Sequence, residues 1–162
     1  MHHAPTEVEL LHLANPNHGA LAGSTRVSPA PAPSAGIPTI LLVEDEAFVR
    51  DVACQILCSA GYQVLAARNA ADAVRTFRYH AGAVQLLLTD VVLPDRNGCD
   101  LALELVKGGC VKAIFISGYP ENSITQKGLQ HPGWSYLPKP FSAAALLQKV
   151  KEVLNDSPIQ AG

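Results

Sequence analysis

Polar residues close four short apolar runs in this chain, and their types together could do phosphorus chemistry. Glu44, Asp45 and Glu46 follow TILLV (39–43), and Asp90 follows VQLLLT (84–89). Ser117 closes KAIFIS (112–117), and Lys139 and Pro140 come shortly after WSYL (134–137). Carboxylates brought together with no counter-charge repel one another, and their pKa values rise. A hard divalent cation relieves that repulsion. Mg2+ takes oxygen ligands, keeps several waters, and typically uses one or two carboxylates plus phosphate oxygens. In such a pocket Asp90 can act as a nucleophile toward phosphorus. Lys139 would neutralise charge on the phosphoryl oxygens, with positioning supplying most of the catalysis. Ser117 can donate a hydrogen bond to the product phosphate and move with it.

Each residue taken singly has a plainer reading. An acid after a buried strand often serves the dipole of the next helix, which would account for Glu44 to Glu46. Asp90 alone fits an ordinary turn residue, and Ser117 before Gly118 fits turn chemistry. Lys139 alone fits a solvated surface lysine. Their joint occurrence at strand ends is what the plain readings do not explain.

The elements that must position these groups follow from periodicity. Continuous apolar runs such as 39–43 suit strands buried on both faces. Further strands are expected at Tyr62 to Ala66, Val84 to Thr89, Lys112 to Ser117 and Trp134 to Leu137. Phe48, Val49, Val52, Ala53, Ile56 and Leu57 recur at helical spacing, with Gly61 as the stop signal. Helices are also expected at Ala70 to Tyr79, Cys99 to Val106, weakly at Glu121 to Gln130, and from Ser142, an apt N-cap, to Leu154. Five strands alternating with five helices demand parallel pairing through right-handed crossovers. The expected fold is α/β, a doubly wound three-layer sandwich. Alternation alone leaves strand order open. In open parallel sheets, ligands bind outside the carboxyl ends of the strands. If the first, third and fourth strands are neighbours, about 4.8 Å apart, the polar groups share one pocket.

Composition sets the surroundings. The net charge of −2 lacks the basic field that general nucleic-acid or anionic-membrane binding needs. No apolar run reaches the roughly 18 residues of a membrane span, and no secretory signal pattern opens the chain, so a cytoplasmic location is the default expectation. Half of the 12 prolines fall in the first 38 positions, and residues 1–36 read as a disordered Pro/Ala-rich tail. The folded domain is expected over 37–156, with a short tail at 157–162. Of the four cysteines, Cys54 and Cys58 share a helical face, and all four, with Cys99 and Cys110, are expected to be reduced, packed thiols.

Taken in order, the stretches ILLVEDE (40–46), LLLTDVVLPDRNG (86–98), IFISGYPEN (114–122) and YLPKPFS (136–142) resemble the CheY-like receiver domain of two-component response regulators. Such domains also occur at the ends of hybrid sensor kinases, and the last two stretches look most like those. The resemblance covers about Thr39 to Asn155. It implies a flavodoxin-like five-stranded sheet of order 2-1-3-4-5. It implies that Asp90 is phosphorylated, that Asp45 and Asp90 bind Mg2+ directly, that Glu44 does so through water, and that the Val92 carbonyl completes the protein ligands. Lys139 would pair with the phosphoryl group, before a cis peptide to Pro140. Ser117 would be the switch hydroxyl, and Tyr136 the aromatic that rotates inward when Ser117 moves. A partner face made by the fourth helix, fifth strand and fifth helix would then change shape. Glu44 stands where Asp is more frequent, and Ser117 where Thr is equally usual. Val92 and Tyr119 flank the path of an attacking water, where apolar bulk is expected to slow spontaneous dephosphorylation.

The implied partners are a sensor histidine kinase or a histidine phosphotransfer protein, with no nucleic acid and no membrane. With few residues after Asn155 and no room for a kinase domain in the first 36, the expectation is a stand-alone receiver that signals rather than turns over a substrate. The alternatives are a phosphorelay shuttle derived from a hybrid kinase and a flavodoxin-like binding scaffold. A scaffold that lost phosphorylation gains no support while the acids, Asp90, Ser117 and Lys139 are all present, and a flavodoxin-like electron carrier would need a phosphate-cradling loop where Glu44, Asp45 and Glu46 stand. An aspartyl-phosphate phosphatase would need a cap insertion after the first strand that is not seen.

Overall fold

The computed structural model describes residues 36–80, 82–109, 112–119 and 131–156. The elements are β1 (Thr39–Val43), α1 (Ala47–Ser59), β2 (Gln63–Ala67), α2 (Ala70–Tyr79), β3 (Val84–Asp90), α3 (Gly98–Lys107), β4 (Lys112–Ser117), β5 (Trp134–Pro138) and α4 (Ala143–Asn155). The fourth helix expected from the sequence (121–130), the tails at 1–35 and 157–162, and Cys110 lie outside the described residues. Element α4 is therefore the fifth helix of the sequence reading.

All strand pairs are parallel, in the order β2-β1-β3-β4-β5. Burial on both faces marks β1 as an interior strand. In β1 every residue is buried, so side chains of both parities need a helix layer. Leu41 and Val43 face a core with Ala73 and Phe77 of α2 and Leu101 and Leu105 of α3. Ile40 and Leu42 face the opposite core, with Leu57 of α1 and Leu146 and Val150 of α4. Among the described helices, two thus cover each face. The chain leaves β1 toward β2 on one side and later returns to β3 on the other, and the resulting switch point opens at the carboxyl ends of β1 and β3.

Local signals mark the joints. Gly61 has φ of 93°. The Gly61 amide donates to the Cys58 carbonyl at 3.0 Å and the Tyr62 amide to the Leu57 carbonyl at 3.1 Å, the paired bonds of a Schellman cap. This cap takes Tyr62 out of β2, which starts one residue later than its sequence pattern indicates. Ser142 caps α4 by accepting from the Ala145 amide at 3.1 Å.

Two expectations from the sequence do not hold. Phe48 fits the apolar periodicity of α1, yet it is 67% exposed. The buried line of α1 runs through Ala53 and Leu57, and five residues before Ala53 is a rotation of roughly 140° away from it at 3.6 residues per turn. Cys58 is exposed rather than packed, because it sits in the last turn of α1. Cys54 is half-buried and Cys99 is buried, and Cys54 and Cys58 are free thiols. Burial, with Cys58 nearby, pushes the Cys54 thiol up to about 11.

Candidate functional site

The strand ends deliver their polar residues to the switch point as the sequence reading requires. One oxygen from each of Glu44, Asp45 and Asp90 lies within 4.8 Å of the others. Lys139 enters from the loop after β5. Its ammonium donates to Asp90 Oδ2 at 2.8 Å and to Glu44 Oε2 at 3.2 Å. The plain reading of Lys139 as a surface lysine therefore fails.

The three acids after β1 divide their roles. Glu46 takes the N-cap position of α1, which is the plain reading of an acid at a helix start. Glu44 instead turns inward and is 1% exposed. Its Oε1 accepts the Glu46 amide at 3.1 Å. Asp45 is exposed at the mouth. Asp90 also keeps some turn character, since Oδ1 accepts the Val92 amide at 3.2 Å.

Burial pushes the Glu44 carboxyl above its usual range; the Glu46 amide and Lys139 oppose this, and the Asp90 charge adds to it. Burial alone would pull Lys139 down. Its hydrogen bonds and charge interactions with Asp90 and Glu44 outweigh that, and its pKa is raised. A buried acid held at such a cost, beside two further oxygen donors, is a donor set that fits a hard divalent cation such as Mg2+.

Ser117 is buried at the end of β4, one residue past the partner of Asp90. Its Oγ accepts the Tyr119 amide at 3.0 Å. The single proton of the Tyr136 hydroxyl is shared between the Ser117 carbonyl, at 3.0 Å, and the Tyr119 carbonyl. Tyr136 thereby grips the backbone on both sides of Gly118. Val92 and Tyr119 are 60% and 64% exposed. The Lys139–Pro140 peptide is cis, as the resemblance implies.

Three residues that support the site escaped the sequence reading. Arg50, in the first turn of α1, donates to the Glu44 carbonyl at 2.9 Å and fixes the acid turn. A Cβ on Gly98 would fall 2.1 Å from the Asp90 carbonyl oxygen, so only glycine lets α3 start this close to β3. Asp95 reaches across to α2, accepting the Ala70 and Ala71 amides at 2.9 Å each. Of these, Gly98 had a signal in its place after Asn97, which caps α3. The contacts of Arg50 and Asp95 depend on tertiary neighbours.

Comparison with known proteins decides what this arrangement belongs to. The family model for the response regulator receiver domain matches residues 40–151. The chain belongs to the response regulator receiver family. Receiver domains are the signalling phospho-acceptors of two-component phosphorelay systems, not enzymes of the ordinary kind. The chain is similar to sensor kinase CckA of Brucella abortus, at 38% identity over 120 residues, covering 74% of this chain and 13% of that protein. It is also similar to the DNA-binding transcriptional regulator NtrC of Azospirillum brasilense, at 34% over 121 residues, covering 74% of this chain and 24% of the regulator. The chain thus spans a minor part of these curated relatives. Among solved structures, the receiver domain of the hybrid histidine kinase CckA aligns with a TM-score of 0.61 at 36% identity, covering 72% of this chain and 99% of that domain. A receiver protein from Sinorhizobium medicae aligns at 0.67 and 27% identity, covering 75% and 98%. The 2-1-3-4-5 order is the receiver order. Among the described residues, no helix is long and apolar enough to cross a membrane.

Proposed function

We propose that this receiver accepts a phosphoryl group on Asp90 from a phosphohistidine of a sensor histidine kinase or histidine phosphotransfer protein, in the cytoplasm. The observation that carries the proposal is the Lys139 ammonium seated on Asp90 Oδ2 and Glu44 Oε2 beside the Asp45 carboxylate. An Asp90 oxygen attacks phosphorus as the bond to the donor imidazole nitrogen breaks, and the freed imidazole takes up a proton. Asp45, Asp90 and the Val92 carbonyl would hold Mg2+, with Glu44 acting through water. A bound Mg2+ supplies neutralisation of the charge on the phosphoryl oxygens. Lys139 then moves its hydrogen bond from the carboxylate to a phosphoryl oxygen. Ser117 gives up its bond from the Tyr119 amide to donate toward the phosphate, and Tyr136, bonded to both flanking carbonyls, follows that loop inward. The face that includes β5 and α4 carries the change to a protein target.

Incubation with acetyl phosphate and Mg2+, followed by intact mass, tests this reading. The expected result is one added phosphoryl group, lost in Asp90→Asn and in the presence of EDTA. No gain in the wild-type protein with acetyl phosphate or with a phosphorylated histidine donor would overturn it.

A phosphorelay shuttle is the second reading, and the similarity to the receiver of a hybrid histidine kinase favours it. Mixing the phosphorylated protein with a histidine phosphotransfer protein separates the two. A shuttle passes its phosphoryl group on, whereas an output regulator keeps it and binds a target.

A further inference from the structure

The loop between β3 and α3 carries the Val92 carbonyl and covers one side of the Asp90 carboxylate. Its two ends are fixed locally. The Val91 amide donates to the Ile116 carbonyl at 3.1 Å, which ties the start of the loop to β4. The Gly98 amide donates to the Val91 carbonyl at 2.7 Å, and Val92 and Asn97 form an antiparallel bridge across the loop base. Asn97 caps α3 through the Cys99 amide at 2.7 Å. Within the apex, residues 93–96, Leu93 is buried in the core and Arg96 donates to Glu104 Oε2 of α3 at 2.7 Å, but neither is hydrogen-bonded to the start of α2.

Asp95 makes that link. Both of its carboxylate oxygens are occupied, Oδ1 by the Ala70 amide and Oδ2 by the Ala71 amide, each at 2.9 Å. Those amides are the first two of α2, donors that a helix leaves without intrahelical partners. Asn69, the N-cap of α2, satisfies the third by accepting from the Asp72 amide at 2.7 Å. The start of α2 therefore has its own cap and needs no second one to form. The carboxylate of Asp95 also meets the positive end of the helix dipole, and its two bonds fix both position and rotation of the loop apex.

We infer that Asp95 is a positioning residue for the phosphorylation site. By clamping the loop apex to the first turn of α2, it holds the Val92 carbonyl and the Val92 amide at Asp90 in the arrangement that metal binding and phosphoryl acceptance need. The inference rests on the functional reading above for the role of the Val92 carbonyl. Side groups that orient ligands from outside the coordination sphere commonly affect metal affinity strongly.

Two readouts test it, one of them independent of metal. The first is deuterium uptake in a peptide spanning residues 91–98, measured in metal-free protein. The second is Mg2+ affinity by titration calorimetry. Asp95→Ala is expected to speed exchange in that peptide and to weaken Mg2+ binding by about tenfold. Asp95→Asn keeps one acceptor oxygen and is expected to fall between. Asn69→Ala removes the cap of the same helix from its own side, and should leave both readouts near the wild-type values. Unchanged exchange and affinity in Asp95→Ala would overturn the inference. So would equal losses in Asn69→Ala, since the effect would then be helix stability alone. Wild-type protein that binds Mg2+ but gains no phosphoryl group would instead sink the functional reading, with the role of Asp95 judged on the two readouts.

Discussion

At Glu44 a carboxylate is sealed from water while Asp45, its neighbour, stays in it, and the difference has a measurable consequence. The raised pKa of Glu44 means that the folded protein holds its proton more tightly than the unfolded chain does. Ionised Glu44 therefore costs stability. The cost is absent below the ordinary value of 4.5, grows as pH rises through the raised folded value, and is complete above it. Glu44→Gln should accordingly raise the melting temperature at pH 7 in EDTA, with the gain fading as the pH is brought down to 4.5. Saturating Mg2+ should shrink the gain at pH 7, because the cation already compensates the charge. Thermal melts across that pH range, with and without Mg2+, check both statements. The types of the site residues were legible in the sequence because each closes an apolar run. The raised pKa of Glu44 was not, because it depends on how deeply the fold seats that acid.

The elements show where periodicity carries and where it stops. Strands β1, β3 and β4 are continuous apolar runs, and their sequence bounds agree with the structure to within a residue. Helix α1 was legible as a helix, but Phe48 was not legible as an exposed residue, because apolar spacing does not say which part of a wide stripe meets the sheet. Strand order came through the family resemblance; a strand's own pattern carries no record of its neighbours. The junction of β3 and α3 is tighter than either element implies. Gly98→Ala would set a Cβ against the Asp90 carbonyl oxygen, where only 2.1 Å is available. Backbone must shift to relieve it, and such overpacking typically costs about 1–3 kcal/mol. Urea unfolding should show a loss in that range, and phosphorylation by acetyl phosphate should slow with it, since the displaced atom belongs to the proposed acceptor residue.

For the whole molecule, two cores share one sheet, and the acid cluster sits where both end. Metal binding to the folded form alone should then stabilise the entire domain by mass action. At a Mg2+ concentration one hundred times its dissociation constant, the gain should approach about 2.7 kcal/mol. Chemical denaturation over a Mg2+ series should show this dependence, and Asp90→Asn should flatten it. A stability that ignores Mg2+ would count against the metal site.

The ammonium of Lys139 and the carboxylate of Glu44 are 95 positions apart in the chain. During synthesis, Asp90 is made 49 residues before its cationic partner. A truncated or half-made chain carries the proposed acceptor and the acids but lacks the cation proposed to meet the phosphoryl oxygens. On the proposed function, accepting a phosphoryl group would therefore require the completed domain.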